Sequence, residues 1–315
     1  MATIADVAML AGVSKATASR AFSRAEMVSP ATAQRVREAA EKLGFVANNA
    51  ARQLAGGRTG IVALVVPTLD NSFFTPIIGG AQACADAAGL QLTVVVHNLA
   101  HSGDLLAFER LSRQVDGFII VAPLGTDDLV EAVAGRKPTV LVDRETEGVS
   151  SVVADTGTAF GELAAHFIRS GYRRLVYAGG PAGSWQDRQR EAAVRAAAER
   201  SGVEVEVVGP YPPTFAAGIG AAAEIRSLKP DAVIPYATAL GLGAQYAYLS
   251  AGEQPPVVSS ERAIVQALGL RDVPAIDVDG SELGRMAAQA LIREIESPGA
   301  APQRRRLRVP VEWGA

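Results

Sequence analysis

Apolar residues near the amino terminus recur at the spacing of one helical face and predict a short helix. Thr3 and Asp6 stand at its start with the spacing of a capping box. Gly12 is suited to end the helix, because glycine adopts the left-handed conformation that often follows a helix. The apolar positions on this face are Ile4, Val7, Ala8 and Ala11.

Two further helices are predicted soon after the first. Ser14 caps a helix over residues 15–22, and Ser29-Pro30 begins another that reaches Gly44. The turn between the first two helices is only a few residues long, which is the spacing of a helix-turn-helix. Because the three helices share an apolar face, the sequence predicts a small all-α headpiece.

Polar and basic side chains remain on the second helix after the residues needed for the bundle core are assigned. Arginine can bind guanine through two hydrogen bonds in the major groove, and small hydroxyls can bind phosphates. A solvated helix face is the alternative explanation, but the helix-turn-helix spacing favours DNA recognition. The outward positions are Lys15, Ala16, Thr17, Ser19 and Arg20.

From Ile61 onward, short apolar runs alternate with helical patterns. Nearly continuous apolar strands that alternate with helices predict parallel α/β sheets covered on both faces. Too many strands are predicted for one small sheet. The predicted strands are 61–67, 92–98, 118–121, 139–143, 175–179, 232–236 and 257–259, and the helices between them include 76–88, 158–170, 189–201 and 281–296.

Ligands of doubly wound sheets bind beyond the carboxyl ends of the strands, so residues at these ends are candidate ligand contacts. Asp143 and Arg144 end one predicted strand, Tyr236 ends another, and Phe73 and Phe74 follow the first. Two alternatives stay open for these residues. The phenylalanines can belong to the hydrophobic core, and Asp143 can pair with Arg144 for structural reasons.

Length and charge add a division of the chain. A chain of 315 residues exceeds the usual size of one hydrophobic core and predicts more than one domain. Residues 1–58 carry eight basic and four acidic side chains, a net charge of +4, whereas the whole chain has −3. A basic head on an acidic body suits binding of a polyanion by the head alone.

Other classes of protein lack support in the sequence. No apolar run reaches the length of a membrane span, and no signal peptide precedes the headpiece, so we expect a cytoplasmic protein rather than a secreted solute-binding protein. Residues 179–183 lack the spacing of a dinucleotide-binding loop. The lone Cys84 and the histidines show neither metal-ligand nor nucleophile–base spacing, so we predict no enzymatic activity, no cofactor and no metal. The three histidines are His97, His101 and His166.

Six short motifs stand out in the first 54 residues: Thr3-Ile4-Ala5-Asp6-Val7-Ala8, Ala11-Gly12-Val13-Ser14, Ala16-Thr17-Ala18-Ser19-Arg20, Val28-Ser29-Pro30, Leu43-Gly44-Phe45 and Asn49-Ala50-Ala51-Arg52-Gln53-Leu54. In these motifs the chain resembles the lactose-repressor/galactose-repressor (LacI) family of bacterial transcriptional regulators. Departures from the family pattern occur at Ala18, Ala21, Phe22 and Ser23. The resemblance extends more loosely to the carboxyl terminus and implies a core of two doubly wound parallel-sheet lobes, like those of periplasmic binding proteins.

The resemblance implies roles in DNA binding. Lys15, Ala16 and Arg20 correspond to base contacts, and a short hinge helix places Leu54, with Ala51 beside it, as a wedge in the minor groove. A flexible linker is the alternative for this hinge. Contacts to the DNA backbone are assigned to Ser14, Thr17 and Ser19, and Thr3 and Asn48 are also predicted to bind DNA.

The resemblance also implies a small-molecule effector, a sugar or a related polar metabolite, bound between the two lobes. Arg190 matches the family's effector-binding arginine, and Glu261 stands where the family has an aspartate. Ala237-Thr238 replaces an Asn-Asp pair, so a non-sugar or protein effector stays open as an alternative. The predicted effector contacts are Phe73, Phe74, Asp143, Arg144, Ser184, Trp185, Arg190, Tyr236 and Glu261.

The predicted organisation is a headpiece over 1–47, a hinge helix and linker over 48–59, and an effector-binding and dimerisation core over 60–315. The first lobe is predicted over about 60–156 and 279–308, and the second over about 157–278. A homodimer would place two recognition helices in successive major grooves of a near-palindromic operator. The effector would change the angle between the lobes and thereby the affinity for DNA.

Overall fold

The computed structural model describes residues 2–23, 27–45, 58–254, 256–258, 261–262 and 273–313. The chain forms two compact units, one of residues 1–61 with 114–116 and one of residues 62–113 with 117–315, and each is described by itself. The predicted hinge residues Asn48, Ala51 and Leu54 lie outside the described residues.

The amino-terminal helices form a bundle around small apolar side chains. Helix α1 is Ile4–Ala11, α2 is Lys15–Ser23 and α3 is Pro30–Lys42. The capping box at Thr3 and Asp6 is present, and Gly12 ends α1 with a φ of 65°, so both sequence predictions for this helix are confirmed. The buried core consists of Val7, Ala8, Ala11, Ala18, Ala21, Val36, Ala39 and Ala40.

The larger unit contains two parallel sheets. The six-stranded sheet has the order β11-β5-β4-β3-β1-β2, and the four-stranded sheet has the order β7-β6-β8-β9. A short antiparallel pair joins β10 to β12. The strands are β1 Ile61–Val66, β2 Gln91–Val96, β3 Gly117–Val121, β4 Thr139–Val142, β5 Ser150–Ala154, β6 Leu175–Ala178, β7 Val205–Val208, β8 Ala232–Pro235, β9 Val257–Val258, β10 Ala275–Ile276, β11 Arg304–Leu307 and β12 Val311–Glu312.

Helices separate most of these strands along the chain, so the predicted α/β class with doubly wound parallel sheets is confirmed. They are α4 Phe74–Ala87, α5 Leu105–Ser112, α6 Asp127–Ala134, α7 Thr156–Arg169, α8 Trp185–Glu199, α9 Phe215–Ser227, α10 Thr238–Ser250 and α11 Gly280–Glu296. No helix among the described residues is both long enough and apolar enough to cross a membrane.

Some elements differ from the sequence prediction. Helix α8 begins at Trp185 rather than at residue 189, because the Ser184 hydroxyl accepts a hydrogen bond from the amide of Asp187 and starts the helix earlier. Strands β5, β7 and β11 and the short strands β10 and β12 were not predicted. Ser150 and Ser151 interrupt the apolar pattern of β5, and β11 is an arginine-rich edge strand.

Glycine allows two helices of the larger unit to pack with their backbones in contact. A Cβ at Gly284 on α11 would lie 2.0 Å from the carbonyl oxygen of Ile77 on α4. A Cβ at Gly80 on α4 would lie 1.9 Å from the carbonyl oxygen of Ser281 on α11. These distances are too short for any side chain, so the helix pair depends on glycine at both positions.

We expect Gly284→Ala to lower the free energy of unfolding by about 1–3 kcal/mol, because the added methyl must push α11 away from α4. Gly79→Ala on α4 is the matched control, since nothing lies within 4 Å of its Cβ position. The control should leave stability unchanged or raise it by up to about 1 kcal/mol through helix propensity. Urea unfolding measures both, and equal stabilities of the two variants would contradict the prediction.

Candidate functional site

Helix α2 presents the predicted recognition residues on its outer face. The Ser14 hydroxyl accepts a hydrogen bond from the amide of Thr17 at 3.1 Å and so begins the helix. Thr17 is partly buried, whereas Ser14, Lys15, Ala16, Ser19 and Arg20 are exposed. The exposed side chains of α2 predicted to contact DNA therefore lie outside the bundle core and are accessible to a groove.

Thr3 caps the amino terminus of the first helix of the headpiece. Its backbone amide and its hydroxyl each donate to the carboxylate of Asp6 at 2.8 Å. These hydrogen bonds lower the pKa of Asp6 from its ordinary value. The predicted DNA contact of Thr3 stays a prediction, and the structure gives this residue a capping role.

Arg190 occupies the centre of the candidate ligand site in the larger unit. Its side chain is only 4% exposed and extends from α8. Nε donates to the Thr156 hydroxyl at 2.9 Å, and Nη1 donates to the backbone carbonyl of Tyr236 at 2.5 Å. The guanidinium carbon lies 4.8 Å from the ring centres of both Phe160 and Tyr236. Two aromatic faces and two oxygen acceptors thus stabilise one buried cation.

Two carboxyl groups face this cation from different strand ends. Asp143 follows β4, adopts a left-handed φ of 56°, and accepts a hydrogen bond from the amide of Ala154 at 2.9 Å. Burial raises the pKa of Asp143, and the positive charge of Arg190 opposes that rise. Burial also raises the pKa of Glu261, again against the influence of Arg190. The site therefore combines one permanent cation with two acids that ionise less readily than usual.

Tyr236 closes one side of the site at the end of β8. Its hydroxyl lies 3.2 Å from the hydroxyl of Ser184, the residue that caps α8. Its ring packs on the backbone of Gly180, where a Cβ would lie 2.5 Å from the ring. Ser184, Arg190, Tyr236, Asp143 and Glu261 are therefore predicted site residues that the structure brings together.

The contacts that the structure shows for four other predicted effector residues are of a different kind. Phe74 is buried in the hydrophobic core, and Phe73 packs partly buried beside it with ring centres 5.8 Å apart. Arg144 donates to the carbonyls of Pro123 and Gly125 and to the carboxylate of Asp127. Trp185 lines a surface concavity of about 360 Å³ whose other polar lining residues are Asp155, Thr158, Gln186, Gln189 and Arg306. Roles of these four residues in ligand binding stay predictions.

The structure adds site residues that the sequence prediction did not include. Thr156 donates its hydroxyl proton to the side-chain oxygen of Gln186 at 3.0 Å, and Gln186 donates to the carbonyl of Ala154 at 3.2 Å. Thr238 donates to the carboxylate of Glu261 at 3.3 Å. Gln186 stands one helical turn before Arg190, and this spacing alone would have suggested it. Thr156 follows β5, a strand that was not predicted.

The described residues contain no cluster of three or more histidine, cysteine or acidic side chains that could hold a metal ion. The site instead offers hydroxyl, carbonyl, carboxyl and guanidinium groups beside aromatic rings. Such groups bind polar ring compounds through hydrogen bonds and stacking.

Comparison with known proteins identifies the family. Residues 3–48 match the bacterial regulatory proteins of the lacI family, and residues 59–313 match the periplasmic binding proteins and sugar binding domain of the LacI family. The maltose regulon regulatory protein MalI of Escherichia coli K12 is 30% identical over 279 residues, covering 85% of this chain and 81% of its own. The ribose operon repressor of the same organism is 28% identical over 327 residues, covering 98% and 97%.

A solved structure supports the fold. The lac repressor dimer bound to operator and the anti-inducer ONPF aligns with a TM-score of 0.80 and 22% identity, covering 98% of this chain and 97% of that one. The chain belongs to the LacI family of bacterial regulatory proteins. It is a DNA-binding transcriptional regulator, and its relatives are regulators rather than enzymes.

The site predicts a pH dependence of stability. Arg190→Gln removes the cation that opposes the raised pKa of Asp143 and Glu261, so both pKa values rise further above the ordinary carboxyl value of about 4. A folded state that binds more protons than the unfolded state loses stability as pH rises. From about pH 4 towards neutrality, we expect the free energy of unfolding of Arg190→Gln to fall more steeply than that of the wild type.

Urea unfolding at a series of pH values measures these slopes. Arg188→Gln is the control, because Arg188 is an exposed residue of the same helix and does not shift either pKa. The control should keep the wild-type slope. Parallel pH profiles for Arg190→Gln and the wild type would contradict the prediction.

Proposed function

We propose that this regulator is a repressor that binds a near-palindromic operator through α2 and releases or retains it according to a small polar metabolite bound around Arg190. The observation that supports this most strongly is the buried guanidinium of Arg190, which is surrounded by groups from the ends of both sheets. A ligand that competes for these groups acts on both lobes at once. It can therefore bias the angle between them.

A sugar or similar polar ring compound fits the chemistry of this site. The carboxyl groups of Asp143 and Glu261 accept hydrogen bonds from hydroxyls, and the hydroxyls of Ser184 and Tyr236 can donate or accept. The ribose operon repressor and the matched sugar binding domain support the same class of ligand. In the LacI family an Asn-Asp pair often follows the strand equivalent to β8, and here Thr238 orients Glu261 from that position.

The proposed assembly is a homodimer in the cytoplasm, where it meets DNA. Helices α9 and α10 expose apolar side chains that a second copy can cover, namely Phe215, Ile219, Tyr246 and Leu249. The rings of Phe215 and Tyr246 lie 5.6 Å apart, so these two side chains form one apolar surface across the two helices. The aligned lac repressor is a dimer on its operator, and two-fold symmetry of a protein matches a near-palindromic site.

DNA recognition is tested by selecting a preferred duplex from random double-stranded DNA with the full-length protein. Arg20→Ala should weaken binding of the selected duplex by about 10- to 100-fold, because a base-specific arginine contributes about 1–3 kcal/mol. Binding of random duplex should fall much less. The control is Arg37→Ala, an exposed arginine on α3 of the same bundle. Equal losses on selected and random DNA for Arg20→Ala would contradict base recognition.

Ligand binding is tested by thermal shift of the purified protein against sugars, sugar phosphates, nucleosides and purines. A ligand at 100 times its Kd adds about 2.7 kcal/mol to stability, which a melting curve resolves easily. The stabilising compound should lose its effect on Arg190→Gln and keep it on Arg188→Gln. An unchanged shift with Arg190→Gln would place the ligand elsewhere, and the absence of any shift would favour a protein effector.

A further inference from the structure

Asp116 binds the backbone at the point where the chain enters the first sheet. One carboxylate oxygen accepts from the amide and the hydroxyl of Thr59 at 2.6 and 3.0 Å, and the other accepts from the amide of Gly60 at 2.7 Å. The amide of Asp116 donates to the carbonyl of Ile61 at 2.7 Å. Only 7% of Asp116 is exposed, so these charge-assisted hydrogen bonds are shielded from water.

The hydrogen bonds of Asp116 lie where the connecting segment leads into the first strand. Thr59 and Gly60 directly precede β1, and Asp116 directly precedes β3, the neighbour of β1 in the sheet. Residues 46–57 connect Thr59 to the headpiece along the chain. The carboxylate of Asp116 therefore holds the last residues of the connecting segment to the amino ends of two adjacent strands.

The second sheet also has an aspartate that precedes a strand and accepts hydrogen bonds from backbone amides, but no linker enters the sheet there. Asp231 precedes β8, and one of its carboxylate oxygens accepts from the amides of Arg173 and Arg174, both at 2.9 Å. The amide of Asp231 donates to the carbonyl of Arg174 at 2.8 Å, just before β6. Asp231 thus stabilises only a turn between a helix and a strand of its own sheet. The two aspartates differ in what is attached to the backbone they hold, and Asp231 is also less buried and pairs with the guanidinium of Arg174.

The strands held by Asp116 belong to the sheet that contributes Asp143 to the ligand site. Strand β3 pairs with β4, whose carboxyl end leads to Asp143, over four register positions. Strand β3 also pairs with β1, from Val62 opposite Gly117 onward. Hydrogen-bonded parallel strands move together, so a displacement at their carboxyl ends also moves their amino ends. A backbone fixed to those ends must follow this movement.

We propose that Asp116 is a positioning residue of the regulatory switch, which makes the linker to the headpiece follow the movement of the first sheet. This inference rests on the proposed function. Without the carboxylate, Thr59 and Gly60 lose their acceptors and the linker can move independently of the sheet. DNA binding and the ligand site then both persist, but each no longer affects the other.

The test uses hydrogen exchange of the full-length protein with and without a saturating amount of the selected duplex. In the wild type, duplex binding should change exchange in peptides over 140–146 and 184–192, because coupling between two sites is reciprocal. In Asp116→Asn this change should disappear although the duplex still binds. Exchange at residues 59–61 should become about tenfold faster or more, because a carboxamide has only one acceptor oxygen and at least one of the Thr59 and Gly60 amides loses its acceptor.

Asp231→Asn is the control, since it disturbs the equivalent hydrogen bonds, together with an ion pair to Arg174, where no linker enters. It should speed exchange near residues 173–175 and keep the response of the ligand site to the duplex. Thr59→Val removes the hydroxyl that donates to Asp116 and accepts from the amide of Ile61, but it keeps the backbone amides of Thr59 and Gly60 on the carboxylate, so it should give a partial loss. This milder variant decides the question if Asp116→Asn does not fold.

Three outcomes overturn the inference: a full response to duplex in a folded Asp116→Asn or in Thr59→Val, an equal loss in Asp231→Asn, or a wild type that binds the duplex without any change at the ligand site. A wild type that selects no duplex is a different failure. It contradicts the proposed DNA binding itself, and the inference falls with it.

Discussion

The site depends on the fact that arginine keeps its charge inside a protein, so a buried guanidinium requires compensating partners. Arg190 has such partners on elements that are distant in the sequence, so its burial depends on the meeting of these strand ends. Removing any one partner leaves the charge less well compensated. The partners are the hydroxyl of Thr156, the carbonyl of Tyr236, the rings of Phe160 and Tyr236, and the carboxyl groups of Asp143 and Glu261.

The same requirement accounts for a departure from the family pattern. Thr238 lies at the start of α10, where its hydroxyl donates to the carboxylate of Glu261 and accepts from the amide of that residue. A glutamate side chain is longer than the aspartate of the family pattern and has more conformational freedom. The hydrogen bond from Thr238 restricts the carboxylate of Glu261, so less of this freedom is lost when the carboxylate binds a ligand. Thr238 and Glu261 therefore work as a pair, and the altered positions still supply an ordered acid beside Arg190.

Much of this arrangement could be predicted from the sequence. Caps, turn glycines and helical spacing defined the headpiece, because each is a local property of a few residues. Strand ends drew attention to Asp143 and Tyr236, since parallel strands bring their carboxyl ends to one edge. Thr156 was missed because the serines of β5 hid a buried strand, and Arg144 turned out to bind backbone carbonyls. Both depend on contacts between distant segments, which local patterns do not contain.

Small residues had a role that periodicity does not show. Gly80 and Gly284 look like weak points of two helices when each is considered alone. In the fold they allow two backbones to approach so closely that no side chain fits between them. The value of such a residue depends on its partner helix, and a pattern within one helix cannot predict it.

The anchor at Asp116 also bears on protein engineering. A chimeric regulator that joins another headpiece to this core needs a junction between the two domains. Here the backbone amides of Thr59 and Gly60 donate hydrogen bonds to an aspartate more than fifty positions later in the chain. A fusion that replaces residues up to Gly60 must therefore keep a sequence that fits this carboxylate. A junction before residue 58 leaves the bonded segment with the core to which it belongs.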